Sequence, residues 1–160
     1  MGSELDFRQV SVSEGDGAAL VAAMIDEMRE LYWDIGDGLD LNSPDMPKAG
    51  PVELGPPAGT FLVGYRDEVA LCGGGVKHLP DGSCEIKRMY VVPAARGQGL
   101  ARVLLHALED AARALGYQVA RLDTGPRQPH AQGLYESEGY VAIDNFNANP
   151  VATFFGEKRL

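Results

Sequence analysis

Between Cys84 and Leu108 the chain changes its apolar period once, and the change straddles a pair of glycines. Upstream, Cys84, Ile86, Arg88, Tyr90 and Val92 alternate with Glu85, Lys87, Met89 and Val91, the two-residue period of a strand. Downstream, Leu100, Val103, Leu104, Ala107, Leu108, Ala111 and Leu115 recur at helical spacing. They mark one apolar face of a long helix that opens at Gly97 and stops at Gly116. The joint runs Val91-Val92-Pro93-Ala94-Ala95-Arg96-Gly97-Gln98-Gly99-Leu100-Ala101. Its glycines let another molecule approach the backbone. The first N–H groups of a helix lack partners within it and carry the positive end of its dipole. Such a loop suits a phosphate or pyrophosphate. The dinucleotide-binding fingerprint fails at Arg102, where a third glycine or alanine would be needed, and no Gly-Lys-Ser/Thr follows to make a nucleoside-triphosphate loop. A tight turn that only packs helix against sheet is the plain alternative.

A resemblance narrows this. Arg96-Gly97-Gln98-Gly99-Leu100-Ala101 resembles the R/Q-x-x-G-x-G/A signature of the GNAT superfamily of N-acetyltransferases, with Val91-Val92-Pro93 as its V-x-P lead-in. A second block, Leu134-Tyr135-Glu136-Ser137-Glu138-Gly139-Tyr140, is similar to the family's late L-Y-x-x-x-G-F/Y element. The two blocks come in the family's order and cover the second half of the chain. The first half matches mainly in its succession of elements. The resemblance implies an α/β (α+β) fold whose mixed, mostly antiparallel sheet of about seven strands is flanked by helices. In that fold the fourth and fifth strands splay to admit coenzyme A.

The 160 residues suit one domain spanning 1–160. Apolar residues at 45% and charged residues at 23% are an ordinary globular balance, with no apolar run long enough for a membrane span and no charged-then-apolar leader. The net charge of −9 argues against nucleic acid, which is bound mainly through Lys and Arg. It permits a cationic amine. A turn at Pro80-Asp81-Gly82 would set Cys72 near Tyr90 and Cys84 near His78, so no disulfide is expected and the cytoplasm is the default compartment. His78, His106 and His130 share no metal-ligand spacing with the cysteines, and no metal is expected.

Taken in order, Phe7, Val10 and Val12 suggest a first strand over 6–12, and Ser13 to Asp16 a capped helix start. Leu20, Val21, Met24, Ile25, Met28, Leu31 and Tyr32 form a helical stripe, read as core. From 34 to 60 glycines and prolines interrupt any regular element, and Asp34, Asp37, Asp40 and Asp45 add negative charge. By position in the family, this segment is read as a mobile flap at the acceptor site. Strands follow at 61–65 and 69–76, with Gly73-Gly74-Gly75 marking a bulge or a close approach by another segment or ligand, and with room for a larger acyl group as a further reading. A fifth strand is expected at 118–123, a short helix at 131–137, a sixth strand from Tyr140 and a seventh from Val151 toward Lys158.

The resemblance also assigns roles. Backbone N–H groups of Arg96, Gly97, Gln98, Gly99, Leu100 and Ala101 would cradle the pyrophosphate of acetyl-coenzyme A, with Arg96 or Arg102 adding charge. Backbone groups of Met89, Tyr90, Val91 and Val92 would meet the pantetheine and the thioester carbonyl. Glu85 would be the general base, directly or through water, its pKa lifted by desolvation; an exposed glutamate paired with Lys87 or Arg88 is the alternative. Tyr135 would be the general acid. Gln128 stands where the family often has a cofactor-touching asparagine, and His130 is a possible second base. The implied activity is N-acetyl transfer to a primary amine by direct attack in a ternary complex. A non-catalytic acyl-coenzyme A sensor and a purely structural interaction domain are the other classes. The acceptor, small molecule or protein, and any homodimer are left open.

Overall fold

The computed structural model describes residues 4–34, 43–44 and 46–160. The strands are β1 (Asp6–Gln9), β2 (Thr60–Arg66), β3 (Val69–His78), β4 (Cys84–Val91), β5 (Val119–Thr124), β6 (Val141–Ala142) and β7 (Phe154–Arg159). The helices are α1 (Gly15–Leu31), α2 (Leu100–Ala114) and α3 (Pro129–Ser137). All strands join one sheet in the order β1-β2-β3-β4-β5-β7-β6. Every neighbouring pair is antiparallel except β4 and β5. Those two pair only at Cys84–Ala120 and Glu85–Arg121 and then part, as the expected splay requires.

The sheet buries two apolar clusters. On one face Leu104, Leu105, Leu108 and Ala112 of α2 pack with Cys84, Ile86, Met89 and Val91 of β4 and with Tyr135 of α3. On the other, Leu20 and Met24 of α1 pack with Phe61, Val63, Tyr65 and Tyr90. Simple alternation would put Met89 and Ile86 on opposite faces. A bulge resets the period: Gly73 faces Tyr90 and Gly75 faces Lys87, so Gly74 stands against both Arg88 and Met89. Arg88 takes the extra turn at a φ of 59°, a conformation that a bulky L-residue rarely adopts. The bulge was expected from the glycine run on β3, but the displaced residue lies on β4. It also moves Cys72 one residue, opposite Val91, while Cys84 faces His78; both thiols are free and buried.

Three expectations are corrected. The buried face of α2 centres on Leu104, Leu105, Leu108 and Ala112, whereas Val103 and Leu115 are exposed; with 3.6 residues per turn, the true axis lies about one position from the stripe that the sequence suggests. The helix opens at Leu100, not Gly97, because Gly97 and Gly99 both have left-handed φ values. Its end is as expected, with Gly116 at φ 96° and Tyr117 N–H donating to Ala112 O in the double-bonded glycine cap. Finally, α1 carries no side-chain cap: Ser13 bonds Ser11, and Asp16 accepts a 2.6 Å hydrogen bond from the Tyr65 hydroxyl.

The space over the Gly73–Gly75 run is filled by protein. A Cβ on Gly73 would lie 3.0 Å from Leu20 Cδ1, on Gly74 2.7 Å from Leu108 Cδ1, and on Gly75 2.7 Å from Leu54 Cδ2. Close packing of side chains, not room for a larger acyl group, explains these glycines. Part of the 34–60 segment is likewise anchored: Leu54 is buried in the α1 cluster, Lys77 Nζ donates to Lys48 O at 2.7 Å, and Tyr117 donates to Ala58 O at 2.6 Å. Residues 35–42 and 45 of the expected flap lie outside the described residues.

Candidate active site

Where β4 and β5 part, a cleft opens with two lobes. The larger, of about 520 Å³, lies between α1, β4 and the end of β5. Met24, Met28, Leu31, Tyr32, Met46 and Pro47 give it an apolar wall. The smaller, of about 280 Å³, lies against the Gly97–Leu104 stretch and α3. Met89, Tyr90, Val91, His130, Ala131 and Tyr135 border both. The stripe on α1 that read as core is therefore also a wall of the cleft.

The smaller lobe has the geometry of an anion cradle. Gly97 and Gly99 sit at φ 80° and 76°, with Gly99 immediately before the first residue of α2. A Cβ on either would meet nothing within 4 Å, so the space above both is open and the leading N–H groups of α2 face it. The polar side chains of the loop are engaged elsewhere. Arg96 donates from Nε to Val91 O at 3.0 Å and pairs with Glu27 of α1 at 2.7 Å. Gln98 accepts from Arg66 at 3.0 Å, and Arg102 binds Glu138, whose other oxygen lies 2.8 Å from His106 Nε2. Backbone donors, not these side chains, are what the loop offers a pyrophosphate. Among the strand residues, Val92 N–H is committed to Leu71 O at 2.9 Å. Strand alternation therefore turns the N–H group of Val91, its neighbour, toward the cleft.

The larger lobe has a polar floor. Glu85 is fully buried. Its Oε2 accepts 3.0 Å from Lys87 Nζ and 2.8 Å from Asn147 Nδ2, while Oε1 has no partner. Burial pushes its carboxyl above the usual range, and the charge of Asp123 adds to that push against the opposing pull of Lys87. Glu85 does not itself border the cleft. Asp123 does, and Asn147 Nδ2 also donates to it, at 2.7 Å, with Asn149 Nδ2 at 3.1 Å. Asp123, Asn147, Asn149 and Arg88 were missed in the sequence because they come together only through the loop between β6 and β7 and through the bulge. Tyr135 is buried, with its hydroxyl 3.7 Å from Met89 Sδ. Desolvation pushes its phenol well above the ordinary value of 10, with a smaller push from Asp123, so it holds its proton firmly at neutral pH. Gln128 lines the larger lobe and accepts from Tyr32 OH and Gly125 N–H at 3.4 Å each. His130 borders both lobes.

Comparison with known proteins agrees with this architecture. Residues 25–140 match the model of the acetyltransferase (GNAT) family. The chain belongs to the GNAT acetyltransferase family. An uncharacterized N-acetyltransferase of Schizosaccharomyces pombe is 34% identical over 128 residues, 78% of each chain. A structure from Klebsiella pneumoniae described as an acyl-CoA N-acyltransferase is 28% identical, covers 98% of this chain and 97% of its own, and superposes with a TM-score of 0.73. A GNAT family acetyltransferase from Elizabethkingia anophelis, solved with acetyl-CoA bound, shares the fold at 14% identity, a TM-score of 0.68 and 99% coverage of both chains. The GNAT chain is thus an acyltransferase of a family that uses acetyl-coenzyme A. Among its described residues no group of three or more His, Cys, Asp or Glu is placed to hold a metal, and no helix is long and apolar enough to cross a membrane.

Proposed function

We propose that this GNAT protein transfers the acetyl group of acetyl-coenzyme A to a primary amine by direct attack while both substrates are bound. The observation that carries the reading is the shared border of the two lobes: the cradle and the polar floor meet at Met89–Val91 and Tyr135, so donor and acceptor can touch. The N–H groups at Gly97 to Ala101 hold the pyrophosphate, and Gln128 is a candidate contact for the pantetheine. Arg96 acts indirectly, tying the loop to α1 and to Val91 O, and Arg102 fastens α2 to α3. The N–H group of Val91 polarises the thioester carbonyl.

Asp123 borders the acceptor lobe and receives the ammonium proton; Glu85 lies behind it, and Asn147 Nδ2, donating to both carboxylates, holds Asp123 in place. Tyr135 gives its hydroxyl proton to the sulfur as the C–S bond breaks and the N–C bond forms. The two free, buried thiols suit a reducing compartment, and the cytoplasm is the proposed setting. Calorimetric titration with acetyl-coenzyme A, followed by a thiol-release assay against a panel of amines, tests the reading. Saturable binding with amine-dependent thiol release supports it. Binding without release for any amine would favour a sensor, and no binding would leave the glycine turn structural.

A further inference from the structure

The larger lobe is bordered by four Lys and Arg side chains, and three of them are paired. Lys87 is held by Glu85 at 3.0 Å, Arg96 by Glu27 at 2.7 Å, and Arg127 by Asp34 at 3.1 Å. The Arg88 side chain has no hydrogen bond or ion pair among the described residues, and its Nε is buried without a partner. Desolvation weighs against its charge, and only the more distant fields of Glu85 and Asp123 offset this. Its backbone sits in the left-handed bulge conformation that aims the side chain at the floor. A guanidinium held in this way, at a strained position and with an orphaned donor, is arranged for a planar anion that arrives with a ligand.

Arg88 borders the larger lobe and not the smaller, so the anion belongs to the acceptor and not to coenzyme A. Asp123 borders the same floor. A molecule carrying an ammonium and a carboxylate on one carbon would place one group on each. The facing wall of Met24, Met28, Leu31, Tyr32, Met46 and Pro47 is apolar. We propose that the acceptor is an α-amino acid with an apolar side chain, its carboxylate bound by Arg88, its amine at Asp123 and its side chain against the α1 wall. This rests on the N-acetyltransferase reading and adds the substrate class to it. The acidic net charge of the chain permits a cationic amine, and the charge nearest the reacting nitrogen is mixed.

The test pairs each of phenylalanine, leucine and methionine with its decarboxylated amine, phenethylamine, isoamylamine and 3-(methylthio)propylamine. Thiol release is measured for the wild-type protein and for Arg88→Gln and Arg88→Lys. At least one amino acid should exceed its amine by about 100-fold or more in kcat/KM, because a site built to bind a polar group rejects the analogue lacking it. That ratio should fall below about 10-fold in Arg88→Gln and recover in part in Arg88→Lys. A second arm needs no turnover: the wild-type protein saturated with coenzyme A is titrated calorimetrically with N-acetylphenylalanine and with N-acetylphenethylamine. Carboxylate-dependent binding that Arg88→Gln abolishes supports the assignment. Equal or better use of the decarboxylated amines, selectivity retained in Arg88→Gln, or no carboxylate-dependent binding would each overturn it. Transfer to the amines alone would leave the N-acetyltransferase reading standing without the amino acid, whereas absence of acetyl-coenzyme A binding would remove the reading beneath both.

Discussion

Glu85 stands on the last paired rung of β4 and β5 and Asp123 lies beyond it where the strands part, and one amide nitrogen, Asn147 Nδ2, donates to both, at 2.8 and 2.7 Å. Burial disfavours the charged form of Glu85, and the charge of Asp123 adds to this against the pull of Lys87. The folded-state pKa of Glu85 lies above the ordinary 4.5, so the folded protein keeps a proton that the unfolded chain releases. The stability contribution is full below pH 4.5 and is lost as pH rises through the raised folded value. Urea unfolding across this range should show stability declining with pH in the wild type, and Glu85→Gln should flatten the decline. An unchanged pH slope in the variant would remove Glu85 from the titration. In the thiol-release assay the acid limb of kcat/KM should move or vanish in Glu85→Gln and in Asp123→Asn, whereas a merely structural Glu85 would lower the rate at every pH alike.

Tyr135 combines burial with a raised phenol pKa, which suits a group that donates a proton and recovers it each cycle. Tyr135→Phe keeps the ring against Tyr140 and loses only the hydroxyl beside Met89. Its kcat should fall by about 10²–10³, the range for loss of a positioned acid, with little change in calorimetric affinity for acetyl-coenzyme A. An unaltered kcat would reduce Tyr135 to packing.

The cradle can be tested apart from its backbone conformation. Gly99 has a φ of 76° and open space above it, so a substitution affects both the strain and the room for a ligand. Asparagine tolerates left-handed φ, so Gly99→Asn should preserve the circular dichroism spectrum and cost at most about 1 kcal/mol in unfolding. Its side chain would nonetheless occupy the space over the loop. Acetyl-coenzyme A affinity should drop by about tenfold or more in Gly99→Asn and be lost in Gly99→Glu, where like charge adds to bulk. Wild-type affinity in both variants would place the pyrophosphate elsewhere.

The elements of this fold were legible wherever one period ran unbroken. The strand at Val119, the long helix ending at Gly116 and the short helix closed by Gly139 needed only local pattern and glycine stops. Arg88 escaped because alternation assumes one residue for one, and the bulge gives Gly74 two partners. A glycine run on one strand could have signalled a bulge on its neighbour. Glu85 reads as a candidate from its strand, but its partner Asn147 does not, since it comes from a loop 62 positions away. The loop arginines read as phosphate ligands because sequence cannot reveal that Glu27 and Glu138 claim them first.

Gly74 permits the packing that sets the bulge in place. A Cβ there would approach Leu108 Cδ1 to 2.7 Å and Met89 Cγ to 3.2 Å, and Leu108 is fully buried with nowhere to retreat. Gly74→Ala should destabilise the protein by about 1–3 kcal/mol, the usual cost of overpacking, and Leu108→Val in the same chain should recover part of it by removing the clashing methyl. Because Met89 borders both lobes, the single variant should also raise KM for acetyl-coenzyme A. Stability loss with unchanged KM would separate the bulge from the site.

Arg88 itself supplies the last test, on stability alone. Its side chain is half-buried without an ion-pair partner, its Nε is buried, and its φ of 59° is unfavourable for any residue with a Cβ. Removing the side chain therefore relieves a partly desolvated charge, and removing the Cβ as well relieves the backbone. Arg88→Gly should be more stable than Arg88→Ala by about 1 kcal/mol, the left-handed penalty less the extra chain entropy of glycine. For a chain of this size that difference corresponds to a Tm gap of about 2–4 °C. If alanine proved the more stable of the two, the bulge would relax when Arg88 is cut back, and the strain would belong to the side chain's placement instead of the backbone. If both variants exceeded the wild type, the guanidinium would be held in the cleft at a cost to folding, as expected of a group kept for a ligand.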